Sequence, residues 1–160
     1  MNEKILEKLK THCGESIEGT NAFRNDLTVI VKKGDIIRVC KFLKNDPDLA
    51  FDMIIDLCGV DMYRPEGRFE VMYNLYSLKN KHYLRLKVLV DEDDPVVATV
   101  TGVWSGANWL EREAYDMFGI KFSGHPDLRR MYMPEEYEYY PMRKDFPLMG
   151  IPDSIPLPRK

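Results

Sequence analysis

Within NEKILEKLKTH, residues 2 to 12, Ile5, Leu6 and Leu9 stand at helical spacing, which predicts a short amphipathic helix. β-Branched residues dominate LTVIV, 27 to 31, and predict a strand. SIEGTNAFRND before it supplies a partner strand, with the turn near Asn25 and Asp26. Ile36, Val39, Cys40 and Leu43 then recur at steps of three and four in KKGDIIRVCKFLKND, a second helix that ends before Pro47.

The period then shortens to two. FDMIIDLCGVDMY is a long apolar segment closed by the turn RPEG, and FEVMYNLYSL alternates, with Phe69, Met72, Leu75 and Leu78 out of strict register. HYLRLKVLV sets Tyr83, Arg85 and Lys87 against Leu84, Leu86 and Val88. These segments predict an antiparallel meander, ended by the solvated acidic turn DEDDP. The order predicts an α+β two-layer domain, α-β-β-α-β-β-β with a mixed sheet and helices over one face. Helical patterning returns over 96–118, centred on a charged helix at about 106–118. There Leu110, Ala114, Met117 and Phe118 form an apolar stripe, and Gly119 is placed to end the helix.

The α+β domain is therefore expected over 1–128, and 129–160 as an extended C-terminal arm that is not an independent domain. The arm's prolines forbid a long helix or a central strand. Its Tyr, Met and Arg residues are those favoured at interfaces, so it is expected to become ordered against another subunit.

Composition narrows the classes. A chain of 160 residues suits one domain with a self-sufficient core. A net charge of −3 offers no positive field for nucleic acid or an acidic membrane. Three scattered cysteines fit a reducing compartment. No apolar run reaches the roughly 18 residues a bilayer span needs, and the charged N-terminus does not read as a signal peptide.

The chemistry concentrates in EREAYDMFGIKFSGHPDLRR, 111 to 130. Glu111 and Glu113 point about 200° apart around a helix and cannot serve one substrate as acid and base. Arg112 and Asp116, four apart, are expected to form a surface ion pair contributing about 0.3–0.5 kcal/mol. On the helical wheel both glutamates flank the apolar stripe, and rim carboxylates need named partners. Arg129, Arg130 and Arg143 are the candidates, because guanidinium binds carboxylate through two parallel hydrogen bonds. His125, held extended before Pro126, reads as a hydrogen-bonded structural residue. The spacings of His and Cys match no zinc or iron–sulfur pattern, and no nucleotide-phosphate loop or hydrolase elbow appears.

The run ERE-AY-DMF, six residues, His125, three residues, RRMY resembles the signature of the thirty-kilodalton, C-type subunit of bacterial NADH–quinone oxidoreductase, respiratory complex I. LCGVDM at 57–62 and PMRKDFPL at 141–148, with Arg143, Lys144 and Asp145, resemble further blocks of that family. The likeness covers most of 27–148. The family commonly has tryptophan at Tyr137, glycine at Tyr139 and leucine at Met142, so the local path of the arm is where this chain departs.

The resemblance implies a non-catalytic structural subunit of the peripheral arm. Such a protein holds no cofactor; FMN and iron–sulfur clusters sit on partner subunits. It packs chiefly on the D-type subunit of the quinone module, on the cytoplasmic side of the bacterial membrane. The complex passes electrons from NADH to quinone and couples this to ion translocation. Trp109, Glu111, Arg112, Glu113, Asp116, His125, Asp127, Arg129, Arg130, Arg143, Lys144 and Asp145 become interface or structural-motif residues. On this reading the helix docks by its apolar stripe, with Trp109, Tyr132 and the tyrosines 137, 139 and 140 as anchors. The rivals are a homologous subunit of a hydrogenase, formate hydrogenlyase or ferredoxin- or F420-linked dehydrogenase complex, told apart by the co-purifying subunits. A hydrolase using Glu113 and His125 is told apart by assaying the purified chain, and an autonomous binding module by its neighbouring genes.

Overall fold

A computed structural model describes residues 1–152. Helix α1, Asn2–Cys13, buries Ile5, Leu9 and Cys13, one per turn. Strands β1, Ile17–Phe23, and β2, Asp26–Val31, form a hairpin. Its two-residue turn puts Arg24 and Asn25 at φ 49° and 72°, the left-handed pair whose twist suits a tight hairpin. Helix α2, Ile36–Asn45, buries Ile36, Val39, Cys40 and Leu43, the four residues that its period singles out.

Strands β3, Met53–Asp61, β4, Phe69–Ser77, and β5, His82–Val90, form the antiparallel meander. β5 then pairs in parallel with β2, so the sheet is mixed, with order β1-β2-β5-β4-β3. β3 and β2 run the same way, and α2 is the crossover joining them across the sheet. The inner face is built from rows in register, such as Leu57, Tyr73, Leu86 and Val29, all buried. In β4 the inward set is Phe69, Val71, Tyr73 and Leu75, a clean alternation that includes neither Met72 nor Leu78.

The expected helical stretch at 96–118 divides. Helix α3 is Ala107–Phe118, while Val96–Ala98 forms a short strand β6, parallel to β7, Lys121–Ser123. VVATVTGV is β-branched and carries Gly102, so it pairs instead of coiling. Gly119 ends α3 at φ 79°, with its N–H on the Tyr115 carbonyl. A side chain there would strike the Tyr140 ring and the Arg143 guanidinium at 2.7 Å, so close packing also demands glycine. Gly59 in β3 plays the matching part across the interface: an added Cβ would lie 2.8 Å from the Phe118 ring.

The arm differs from its expectation. Residues 129–147 are irregular but return over the end of α3 and the β3–β4 edge of the same chain, as a strap. Its order comes from intrachain hydrogen bonds, because the ends of α3 and β3 offer carboxylates and carbonyls that the loop amides need. Residues 153–160 of the expected arm lie outside the described residues.

Candidate functional site

Helix α3 packs on β3 through Ala107, Ala114 and Phe118. The stripe is thus used inside the domain and is not free to dock. Leu110 and Met117 are only partly covered. The outward side presents Trp109, 61% exposed, and Glu113. The Arg112 guanidinium lies 4.8 Å from the Trp109 ring centroid.

The charged residues do not pair as their spacing predicts. Arg112 does not meet Asp116. Its Nε and Nη2 donate to the carbonyls of Arg129 and Arg130, at 3.1 and 3.3 Å. Asp116 is fully buried. Its Oδ2 accepts three consecutive amides, from Met131, Tyr132 and Met133, at 2.9, 2.6 and 3.1 Å. Its Oδ1 accepts from Arg130 at 2.7 Å. Burial pushes the Asp116 carboxyl up, but these four donors more than offset it and hold it below the ordinary value. One carboxylate thereby shapes the RRMYM turn.

Glu111 and Glu113 separate. Glu113 is exposed, whereas Glu111 is fully buried. Neither meets Arg129, Arg130 or Arg143. Arg129 pairs at the surface with Asp127 at 2.8 Å. Arg143 donates to the Phe118 carbonyl at 2.7 Å and stacks on Tyr140 and Phe69. Glu111 instead accepts the Val100 amide at 2.7 Å and the Thr99 hydroxyl at 2.5 Å. A helical wheel misses this because the donors belong to the loop after β6, not to another helix or a cation.

His125 completes the corner. The Asp127 amide donates to Nδ1 at 3.0 Å, so Nδ1 carries no proton. Nε2–H then donates to the Asn108 carbonyl at 3.1 Å. This hydrogen-bond pattern assigns the uncharged Nε2–H tautomer. Glu111 Oε2 lies 3.9 Å from that nitrogen.

Desolvation raises the Glu111 carboxyl to about 7, against the smaller opposing effect of its two hydrogen bonds. The folded chain therefore keeps a proton that the unfolded chain releases above about 4.5. Its stability should fall as pH rises between about 4.5 and 7, by about 2–3 kcal/mol. Glu111→Gln is expected to remove that slope, read as the pH dependence of the difference in urea midpoints between the two chains. Parallel curves would show that Glu111 titrates alike in both states.

A second charged centre leaves no periodic mark in the sequence. Arg68, at the start of β4, is buried and donates to both oxygens of buried Asp61, at 3.2 and 2.9 Å. It also reaches Glu92 at 2.5 Å and Asp145 at 2.8 Å. Asp61 further accepts the Lys144 and Tyr63 amides, both at 2.8 Å. Burial would raise the Asp61 carboxyl, but Arg68 and the two amides outweigh it and bring it down to about 2. Lys144 and Asp145 thus serve as the strap's attachment. The signal that could have found this centre is the opposite charges of Asp61 and Arg68 at the two ends of the β3–β4 turn.

Together α3, the corner and the strap form one hydrogen-bonded face, with Trp109 and Tyr132 exposed on it. Tyr137, expected as an anchor, is buried beneath it. The family described as respiratory-chain NADH dehydrogenase, 30 Kd subunit, matches residues 29–152. The C-type subunit of NADH-quinone oxidoreductase from Roseiflexus sp. (strain RS-1) is 49% identical over 147 residues, covering 92% of this chain and 84% of that protein. The C-type subunit numbered 2 from Rhizobium meliloti (strain 1021) is 51% identical over 142 residues, covering 89% and 78%. Among solved structures, the trypsin-resistant fragment (1-134) of Nqo5 superposes with a TM-score of 0.68 at 34% identity, over 80% of this chain and 100% of the fragment.

Proposed function

Because this chain belongs to the family of the 30 Kd subunit of respiratory-chain NADH dehydrogenase, we propose that it is a structural and assembly subunit of the peripheral arm of NADH–quinone oxidoreductase. It supports electron transfer from NADH to quinone, coupled to ion translocation, without supplying reacting groups. The observation that carries this reading is how the signature residues are spent. Arg112, Asp116, Arg130, Arg143 and the Lys144 amide all hold backbone or carboxylates of their own chain. That is scaffolding chemistry. What the scaffold leaves outward is large and apolar: Trp109 at 61% exposure and Tyr132 at 59%, with Met142 of the strap also exposed. Aromatic residues in such positions are typical anchors of subunit interfaces.

The partners are other subunits of the complex, chiefly the D-type subunit, and FMN and the iron–sulfur clusters reside on partner chains. No helix among the described residues is long and apolar enough to cross a membrane. Association with the cytoplasmic face through partners agrees with that.

Trp109→Ala combined with Arg129→Glu tests the reading. Both side chains are exposed, so the chain alone should keep its thermal midpoint. In native membranes the variant should lower the amount of assembled complex, with turnover per assembled complex unchanged. Normal assembly with reduced turnover would make these residues part of the chemistry instead.

A further inference from the structure

We infer that Glu111 is a buried proton-binding site, reached from the cleft beside α2 through the hydroxyls of Thr99 and Thr101. The role goes beyond scaffolding, because a scaffold carboxylate such as Asp116 or Asp61 is matched by an arginine, and Glu111 is not. Its oxygens receive one amide and one hydroxyl, both neutral. A fully buried carboxyl in that setting favours its uncharged form.

The groups around it agree. Thr99 and Thr101 face it from the loop after β6. From the turn after β7 comes His125, uncharged and 3.9 Å away. Cys40 of α2 and Tyr73 of β4 lie close enough for Glu111 to influence both, and burial, the larger cause, pushes their protons on more firmly. The Tyr73 hydroxyl is buried with no hydrogen-bond partner among the described residues. On α3 itself, Arg112 is turned to the strap carbonyls and Asp116 to the strap amides. Among the described residues, no cation neutralises Glu111 from any of these elements.

A route exists in the hydrogen bonds. Glu111 Oε2 is 2.5 Å from the Thr99 hydroxyl, which is 2.9 Å from the Thr101 hydroxyl. Both threonines line a cleft of about 540 Å³, along with Ile37, Lys41, Asn108 and Pro126. With the carboxylate charged, Thr101 donates to Thr99 and Thr99 donates to Glu111. A proton arriving from water at Thr101 reverses the chain. Thr101 gives its own proton to Thr99, and Thr99 gives its own to Glu111. The bond formed at the end is the carboxyl O–H. The hydroxyls are restored with opposite orientation, and no heavy atom has to move. Release runs the same steps backwards.

The test is a proton count on the full-length chain, titrated from about pH 8.5 to about pH 5.5, a window above ordinary carboxylate values. Wild type should bind one proton more than Glu111→Gln, with a midpoint about 7. Infrared spectra should show a protonated carboxyl band that disappears as pH rises across the same midpoint and is missing from the variant. Thr99→Val, which removes a donor to the carboxylate, should move the midpoint higher. Thr101→Val should keep the midpoint but slow the appearance of the band after a pH jump. Equal proton counts in wild type and Glu111→Gln would overturn the site. Should Glu111→Gln fail to fold, a wild-type band that is absent at pH 6 would overturn it as well. An unchanged rate in Thr101→Val would overturn the route.

Discussion

Replacing Arg68 with methionine is expected to destabilise the fold by about 3–5 kcal/mol, the range for stranding one charge of a buried ion pair. Arg68 is the common donor to Asp61, Glu92 and Asp145, which come from β3, the loop after β5 and the strap. Methionine fills much of the volume and leaves the Asp61 carboxylate buried with only two amides. The strap loses its attachment in the same step, so residues near 141–147 should become the first site of protease cleavage. Equilibrium unfolding and limited proteolysis read the two effects. Glu92→Gln is the comparison: its side chain is half exposed, and such pairs contribute about 0–1 kcal/mol. A loss as small for Arg68→Met as for Glu92→Gln would mean that Asp61 is solvated and the clamp absent. The acid limb gives a second reading. Asp61, held at about 2 against an ordinary 3.8, contributes stability present above about pH 4 and lost as pH falls through 2. Arg68→Met should flatten that limb.

Asp116→Ala should cost a similar amount, again about 3–5 kcal/mol, for a different reason. Here the cation left behind is Arg130, whose side chain is nearly buried, and three successive amides lose their acceptor. The turn at 131–133 is held mainly by that one carboxylate, so its amides should exchange with solvent far faster while those of β4 and β5 do not. Asp116→Asn keeps an acceptor oxygen but points an amide group at Arg130 or at the turn, and should fall between wild type and alanine. Since Tyr132 sits on this turn, either variant should also lower assembly of the complex. Protection of the 131–133 amides as in wild type would show that the strap keeps its shape without Asp116.

Both variants probe contacts that lay outside the range of pattern reading. In α2 and β5 the chain's own period was enough. Ile36, Val39, Cys40 and Leu43 form the buried side of α2, and Leu84, Leu86 and Val88 face the core while Tyr83, Arg85 and Lys87 face out. Such elements are legible because one side chain in two, or in three to four, meets the same layer. β6 and β7 have three residues each, too few for a period to emerge.

The family blocks at 57–62, 111–132 and 141–148 come together in one region around α3, the strap and the end of β3. Partner assignment failed within it. Arg112 and Asp116 are neighbours along a helix, yet each turns to the loop backbone, because buried amides and carbonyls must be satisfied and a surface ion pair gains little. The sequence by itself determined the α+β class with its mixed sheet, the alternation of β5, the end of α3 at Gly119 and the family. Only the tertiary structure decided which carboxylate receives arginine, which receives amides and which, Glu111, is left with neutral donors. Those outcomes depend on loops that bring residues 99, 125, 131 and 145 to their partners, and loop paths carry no periodic trace in the chain.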